Sequence, residues 1–137
     1  MTTPVPGGLP EANVAAGTMT QPAGKEAALV EGPGVGIAVH REDHRVVMDV
    51  TGEVDVIGAA ELDGVMRDVV AEGAADVVID LADVTFIDST GLTALVAGRN
   101  LCRSHDGDLT LRAPSPQVWR VLTLTGLDTI FAVDQDL

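Results

Sequence analysis

Residues 76–82 read DVVIDLA, a short β-branched run that is apolar on both faces. Such a strand has to be covered on both sides, which is the situation of a central strand in a parallel sheet. Parallel neighbours cannot be joined by a tight turn, so each needs a crossover, usually a helix. The flanking segments supply them. Upstream, GAAELDGVMRDVVAEG (58–73) places Leu62, Val65, Met66, Val69 and Val70 on one helical face, with Gly73 as a stop. Downstream, DVTF (83–86) reads as a connection. A second helix then begins near Ser89 and turns Leu92, Leu95, Val96 and Cys102 inward. It ends near residues 105–107, where His105 suits the negative end of the helix dipole. DLTLRA (108–113) is a further strand, and PSPQVWRVLTLTGL (114–127) a third helix. Ser115 caps that helix, Pro116 lies in its first turn, and Val118, Val121, Leu122 and Thr125 form its inner stripe. TIFAV (129–133) is the last strand.

Ahead of this series, VGIAVH (35–40) and RVVMDVTG (45–52) flank the polar turn REDH and read as an antiparallel hairpin. The pattern predicts an α/β fold: a mixed sheet of about five strands, made of an N-terminal hairpin and a parallel section, with amphipathic helices packed on it. Residues 1–34 differ. They hold five of the seven prolines and six of the fifteen glycines, without strong apolar periodicity. They read as a disordered tail before a single domain at 35–137. A short helix near 25–31 would be stopped by Gly32, Pro33 and Gly34.

Composition narrows the function. The 137 residues include no tyrosine, two phenylalanines (Phe86, Phe131) and one tryptophan (Trp119), so the core must be aliphatic. Trp119 reads as half-buried packing on the third helix, and Arg99 and Arg103 as residues of the second that are solvated or paired with nearby carboxylates. The net charge is −13; without Glu11, Glu26, Glu31 and Lys25 of the tail, 18 acidic and 7 basic residues leave −11. Nucleic-acid binding needs a basic footprint, and so does docking on anionic lipid, so neither is expected. The acidity favours solubility and a partner with a basic surface. Cys102 is the single cysteine, which excludes an internal disulfide and suggests a small core residue. No metal-ligand motif is present, so neither metal nor cofactor is expected. The start, MTTPVPGG, lacks a basic n-region and a continuous apolar stretch and does not read as a signal peptide, and no run of about 18 apolar residues is present to span a membrane. A cytoplasmic protein is expected.

The string VTFIDSTGL (84–92) brings two hydroxyls behind an aspartate at a helix mouth. A serine nucleophile needs a base and oxyanion donors. His40 and His44 belong to the hairpin, and His105 lies about 24 Å away along the helix. The G-x-S-x-G elbow is absent, because Ile87 stands two residues before Ser89. A phosphotransferase using Asp88 would want a second aspartate where this chain has Thr90. No enzyme activity is expected. An anion pocket lacks the P-loop lysine and has Asp88 beside it. A helix cap, worth about 1 kcal/mol, accounts for one hydroxyl but not for the rest of the string.

TGEVD (51–55), VVIDLADVTFIDSTGL (77–92) and LRAPSPQVWRVLTLTGLDTIF (111–131) together resemble a STAS domain, and more closely a bacterial anti-sigma factor antagonist. The resemblance covers roughly residues 35–133. It implies that Ser89, the first hydroxyl after Asp88, is phosphorylated by a serine kinase of the GHKL type that is also the anti-sigma factor. Asp55, Asp88, Ser89, Thr90, Gly91 and Leu92 would meet that partner. Unphosphorylated protein would bind the kinase and free the sigma factor, phosphorylated protein would let go, and a PP2C-type phosphatase would reset it. The antagonist is expected to be a monomer. Leu92, Leu95 and Val96 could form a partner-facing stripe or pack in the core. Family members usually continue into another C-terminal helix, whereas this chain stops at Leu137. Val56, Ile57 and Gly58 replace a more polar loop, a change that bears on partner choice. The competing reading is a STAS scaffold or binding module in a stressosome-like or lipid-transport assembly.

Overall fold

The computed structural model describes the backbone of Met19–Thr20 and Ala28–Gly32, and residues 34–135 in full. Seven strands occur among the described residues: β1 (Met19–Thr20), β2 (Ala28–Gly32), β3 (Val35–Glu42), β4 (Arg45–Val54), β5 (Asp76–Ile87), β6 (Asp108–Arg112) and β7 (Ala132–Asp134). They form one sheet in chain order. Neighbours from β1 to β4 are antiparallel, and those from β4 to β7 are parallel. Each parallel step crosses over through a helix: α1 (Val56–Ala71), α2 (Ser89–Ser104) and α3 (Pro116–Thr125). Strands β3 to β7 with these helices are the mixed five-stranded sheet that the pattern predicts.

β1 and β2 lie within the stretch read as a tail. β2 pairs antiparallel with β3, Ala28 opposite Val39 and Gly32 opposite Val35, so residues 28–31 are strand and not helix. The physical reason is the edge of β3, whose N–H and C=O groups accept another strand. The rest of the predicted tail, 1–18, 21–27 and 33, lies outside the described residues.

The core is aliphatic, as the composition requires. Val46, Met48 and Val50 of β4 and Val77, Ile79 and Leu81 of β5 alternate into it. Leu62, Met66, Val69 and Val70 of α1 and Leu92, Leu95 and Cys102 of α2 pack against them. Val118 and Leu122 of α3 are buried and Trp119 is half-buried, but Thr125 is exposed and donates its hydroxyl to the Val121 carbonyl at 2.8 Å. A threonine in a last turn satisfies itself locally and needs no core position. Residues 127–129 form a 3₁₀ turn, which pushes the last strand to Ala132–Asp134, later than the predicted 129–133.

One departure builds the site. DVTF is not a connection. β5 runs on through it to Ile87, because β4 extends alongside as far as Val54. The upper register pairs Thr51 with Asp83, Gly52 with Val84, Glu53 with Phe86 and Val54 with Ile87, across two register shifts. β6 stops earlier, with Arg112 opposite Asp80. The upper half of β5 is instead joined by Ser115, which caps α3. Its backbone N–H donates to the Leu81 carbonyl at 3.2 Å and its hydroxyl to the Val84 carbonyl at 2.6 Å.

Candidate functional site

Adjacent parallel strands β4 and β5 end level with one another, and each turns directly into a helix. The two mouths share a sequence: Val54-Asp55-Val56-Ile57-Gly58 and Ile87-Asp88-Ser89-Thr90-Gly91. In both, the aspartate is the N-cap and accepts from the N–H groups two and three residues on. Asp55 Oδ1 accepts from Ile57 at 3.1 Å and Gly58 at 3.0 Å, and Asp88 Oδ1 from Thr90 at 3.0 Å and Gly91 at 3.1 Å. The glycines are forced by contact: a Cβ on Gly58 would lie 2.4 Å from the Glu53 carbonyl oxygen, and one on Gly91 2.4 Å from that of Val54. α1 therefore starts at Val56, two residues before the predicted Gly58.

The cap assignment within DSTG is corrected. The sequence suggests that a hydroxyl caps α2, but Asp88 does so with one oxygen. That same oxygen accepts the Thr90 hydroxyl at 2.5 Å. The Thr90 hydroxyl and then the Gly91 N–H hold the Asp88 carboxyl below the ordinary carboxylate range. Ser89 is left as the first residue of α2, exposed, its carbonyl accepting from the Thr93 hydroxyl at 2.8 Å. The Ser89 hydroxyl has no hydrogen-bond partner among the described residues. The two hydroxyls of the string are thus unequal, one engaged and one free.

The predicted contact residues separate into two groups. Asp55, Asp88, Ser89 and Thr90 lie at the surface of the paired mouths, whereas Gly91 and Leu92 are buried. Leu95 is also core and Val96 packs against it, so the stripe considered for a partner belongs to the interior. No histidine is placed beside Ser89. His40 sits with Asp49 and Glu42 on the lower hairpin, His44 is in its turn, and His105 caps the far end of α2. Arg103 reaches Asp108 at 3.6 Å. No group of three or more His, Cys, Asp or Glu side chains is placed to hold a metal among the described residues. None of the described helices is long and apolar enough to cross a membrane.

Residues 51–64 and 83–98 contain six acidic residues and no Lys, Arg or His. Val56 and Ile57, singled out by the sequence as replacing a more polar loop, are exposed beside this acidic rim, and so is Phe86, which sequence reasoning missed.

Residues 37–133 match the family described as Mlab, STAS domain. The anti-sigma-B factor antagonist of Staphylococcus epidermidis is 34% identical over 86 residues, which are 63% of this chain and 80% of that protein. Among solved structures, an anti-sigma factor antagonist from Mycobacterium paratuberculosis superimposes with a TM-score of 0.68 at 33% identity, over 75% of this chain and 87% of the other. The Bacillus protein SpoIIAA in its phosphorylated form gives 0.58 at 18% identity, over 71% and 89%, a likeness of fold alone. The architecture, the Asp-Ser-Thr-Gly helix mouth and these likenesses agree: the chain belongs to the STAS-domain family of anti-sigma factor antagonists.

Proposed function

We propose that this protein is a phosphorylation-switched antagonist. Unphosphorylated, it holds an anti-sigma serine kinase of the GHKL type and so releases a sigma factor. Phosphorylation of Ser89 ends the hold, and a PP2C-type phosphatase restores it. The domain responsible is residues 35–137, with β2 (Ala28–Gly32) added at the β3 edge of its sheet. ATP belongs to the kinase.

The observation that carries this reading is the Ser89 hydroxyl, exposed and without a hydrogen-bond partner among the described residues while Asp88 caps the helix. A phosphate there needs no change in the fold, since the positive end of α2 tolerates it. It adds about −1.5 to −2 charges to an already acidic rim. A partner carboxylate about 6 Å away, at an effective dielectric of about 20, would feel about 3 kcal/mol of repulsion per unit charge pair. Two charges exceed about 4 kcal/mol, or about a thousandfold in affinity. SpoIIAA, which shares the fold, has been solved in a phosphorylated form.

The test is to incubate the purified protein with ATP and each anti-sigma serine kinase of the same genome, then locate phosphate by mass spectrometry on residues 84–92. Phosphate on Ser89 and not Thr90 is expected. Ser89→Ala should bind the kinase constitutively, and Ser89→Asp about a hundredfold more weakly with an unchanged circular dichroism spectrum. Wild-type affinity in Ser89→Asp would exclude charge as the switch. A large stable assembly without bound kinase would favour a scaffold.

A further inference from the structure

Three large apolar side chains stand exposed beside the Ser89 mouth: Val56 at 65%, Ile57 at 52% and Phe86 at 47%. Val56 and Ile57 are the first two residues of α1, directly after the Asp55 cap. Phe86 is two residues before the Asp88 cap and in register with Glu53 on the neighbouring strand, one strand spacing away. Nothing in the capping requires these side chains, because Asp55 is satisfied by backbone N–H groups. In the Asp88 motif the same two positions are Ser89 and Thr90. One mouth is thus polar and modifiable, and its twin is apolar.

The surround has a single sign. Glu53 and Asp83 are exposed, Asp55 and Asp88 are partly so, and neither segment holds a basic residue. From this juxtaposition we infer that Val56, Ile57 and Phe86 are the affinity anchors for the anti-sigma partner, and that they fit an apolar hollow bordered by lysine or arginine. The inference rests on the functional reading above and adds the chemistry of the partner's face. A few side chains buried at the centre of an interface carry most of its energy, while the charged rim sets approach and register. The anchors are the same before and after phosphorylation, so they determine which partner is held. The charge on Ser89 determines when it leaves.

The test uses the full chain, unphosphorylated, against each purified anti-sigma serine kinase of the same genome. The double variant Val56→Gln/Ile57→Gln and the variant Phe86→Thr should each bind at least about tenfold more weakly. Their thermal unfolding should match wild type, because the replaced side chains are exposed. Leu124→Gln, on α3 and 77% exposed, is the control and should stay within about twofold of wild type. Raising salt from about 0.1 to about 0.5 M should weaken wild-type binding through its charged rim. If the two apolar variants bind like wild type while Ser89→Asp does not, the anchors are refuted and the switch stands. An equal loss in Leu124→Gln also refutes them. If wild type binds none of the kinases, both readings fall.

Discussion

Asp88 takes the role that its neighbours' hydroxyls suggest for themselves. One of its oxygens receives two backbone N–H groups and the Thr90 hydroxyl, which leaves Ser89 free at the surface. Replacing it with alanine should cost about 1 kcal/mol of stability, measured by urea unfolding, while Asp88→Asn should retain most of it. The pH dependence follows from the lowered carboxyl. Unfolded, Asp88 titrates near about 3.9; folded, it titrates lower. The stabilisation is therefore complete above the unfolded value and is lost as pH falls through the folded one. In urea titrations from about pH 7 to about pH 2, the gap between wild type and Asp88→Ala should close in acid, whereas that between Asp88→Asn and Asp88→Ala should not. The motif itself could be read from the chain. Which of its oxygens caps the helix could not, because Asp, Ser and Thr are all good caps and only the start of the helix decides among them.

At the scale of elements, the paired helix mouths depend on two glycines that permit close approach. A Cβ on Gly91 would lie 2.4 Å from the Val54 carbonyl oxygen and 2.6 Å from Ile87 Cγ1, and one on Gly58 2.4 Å from the Glu53 carbonyl oxygen. Gly64, inside α1, has nothing within 4 Å. The same substitution should therefore change sign along one helix. Gly58→Ala and Gly91→Ala should each destabilise by about 2 kcal/mol or more, and Gly64→Ala should stabilise by about 0.5–1 kcal/mol. Chemical denaturation of the three variants checks this. If Gly91→Ala is neutral, the approach of α2 to Val54 is looser than described. The helices themselves were evident from their apolar spacing. The starts of α2 at Ser89 and α3 after Ser115 were also legible; that of α1 was not, since Val56 and Ile57 break the amphipathic pattern from which a start would be inferred.

For the molecule as a whole, the core closes over Cys102, which is 0% exposed, and burial pushes its thiol up to about 11. It should be inert to a thiol reagent at about pH 8 and react only as the whole domain unfolds in urea. Unfolded, the thiol ionises near about 8.5. Stability tied to Cys102 is thus intact below that value and is lost as pH rises toward the folded value; Cys102→Ala should lack this alkaline limb. Across the sheet, Arg112 of β6 also meets Glu42 of β3 at 3.2 Å, 70 residues away. The amino-acid sequence by itself determined the alternation of strands and helices, the aliphatic core, the acidic charge and the Asp-Ser-Thr-Gly string, because these depend on residue type and short-range period. Only the tertiary structure decided that β5 continues through 83–86, that Asp55 and Asp88 end side by side, and that Asp88 engages the Thr90 hydroxyl and not that of Ser89. Those facts follow from the register between strands about thirty residues apart, and a local pattern carries no information about which distant partner extends a strand or covers a side chain.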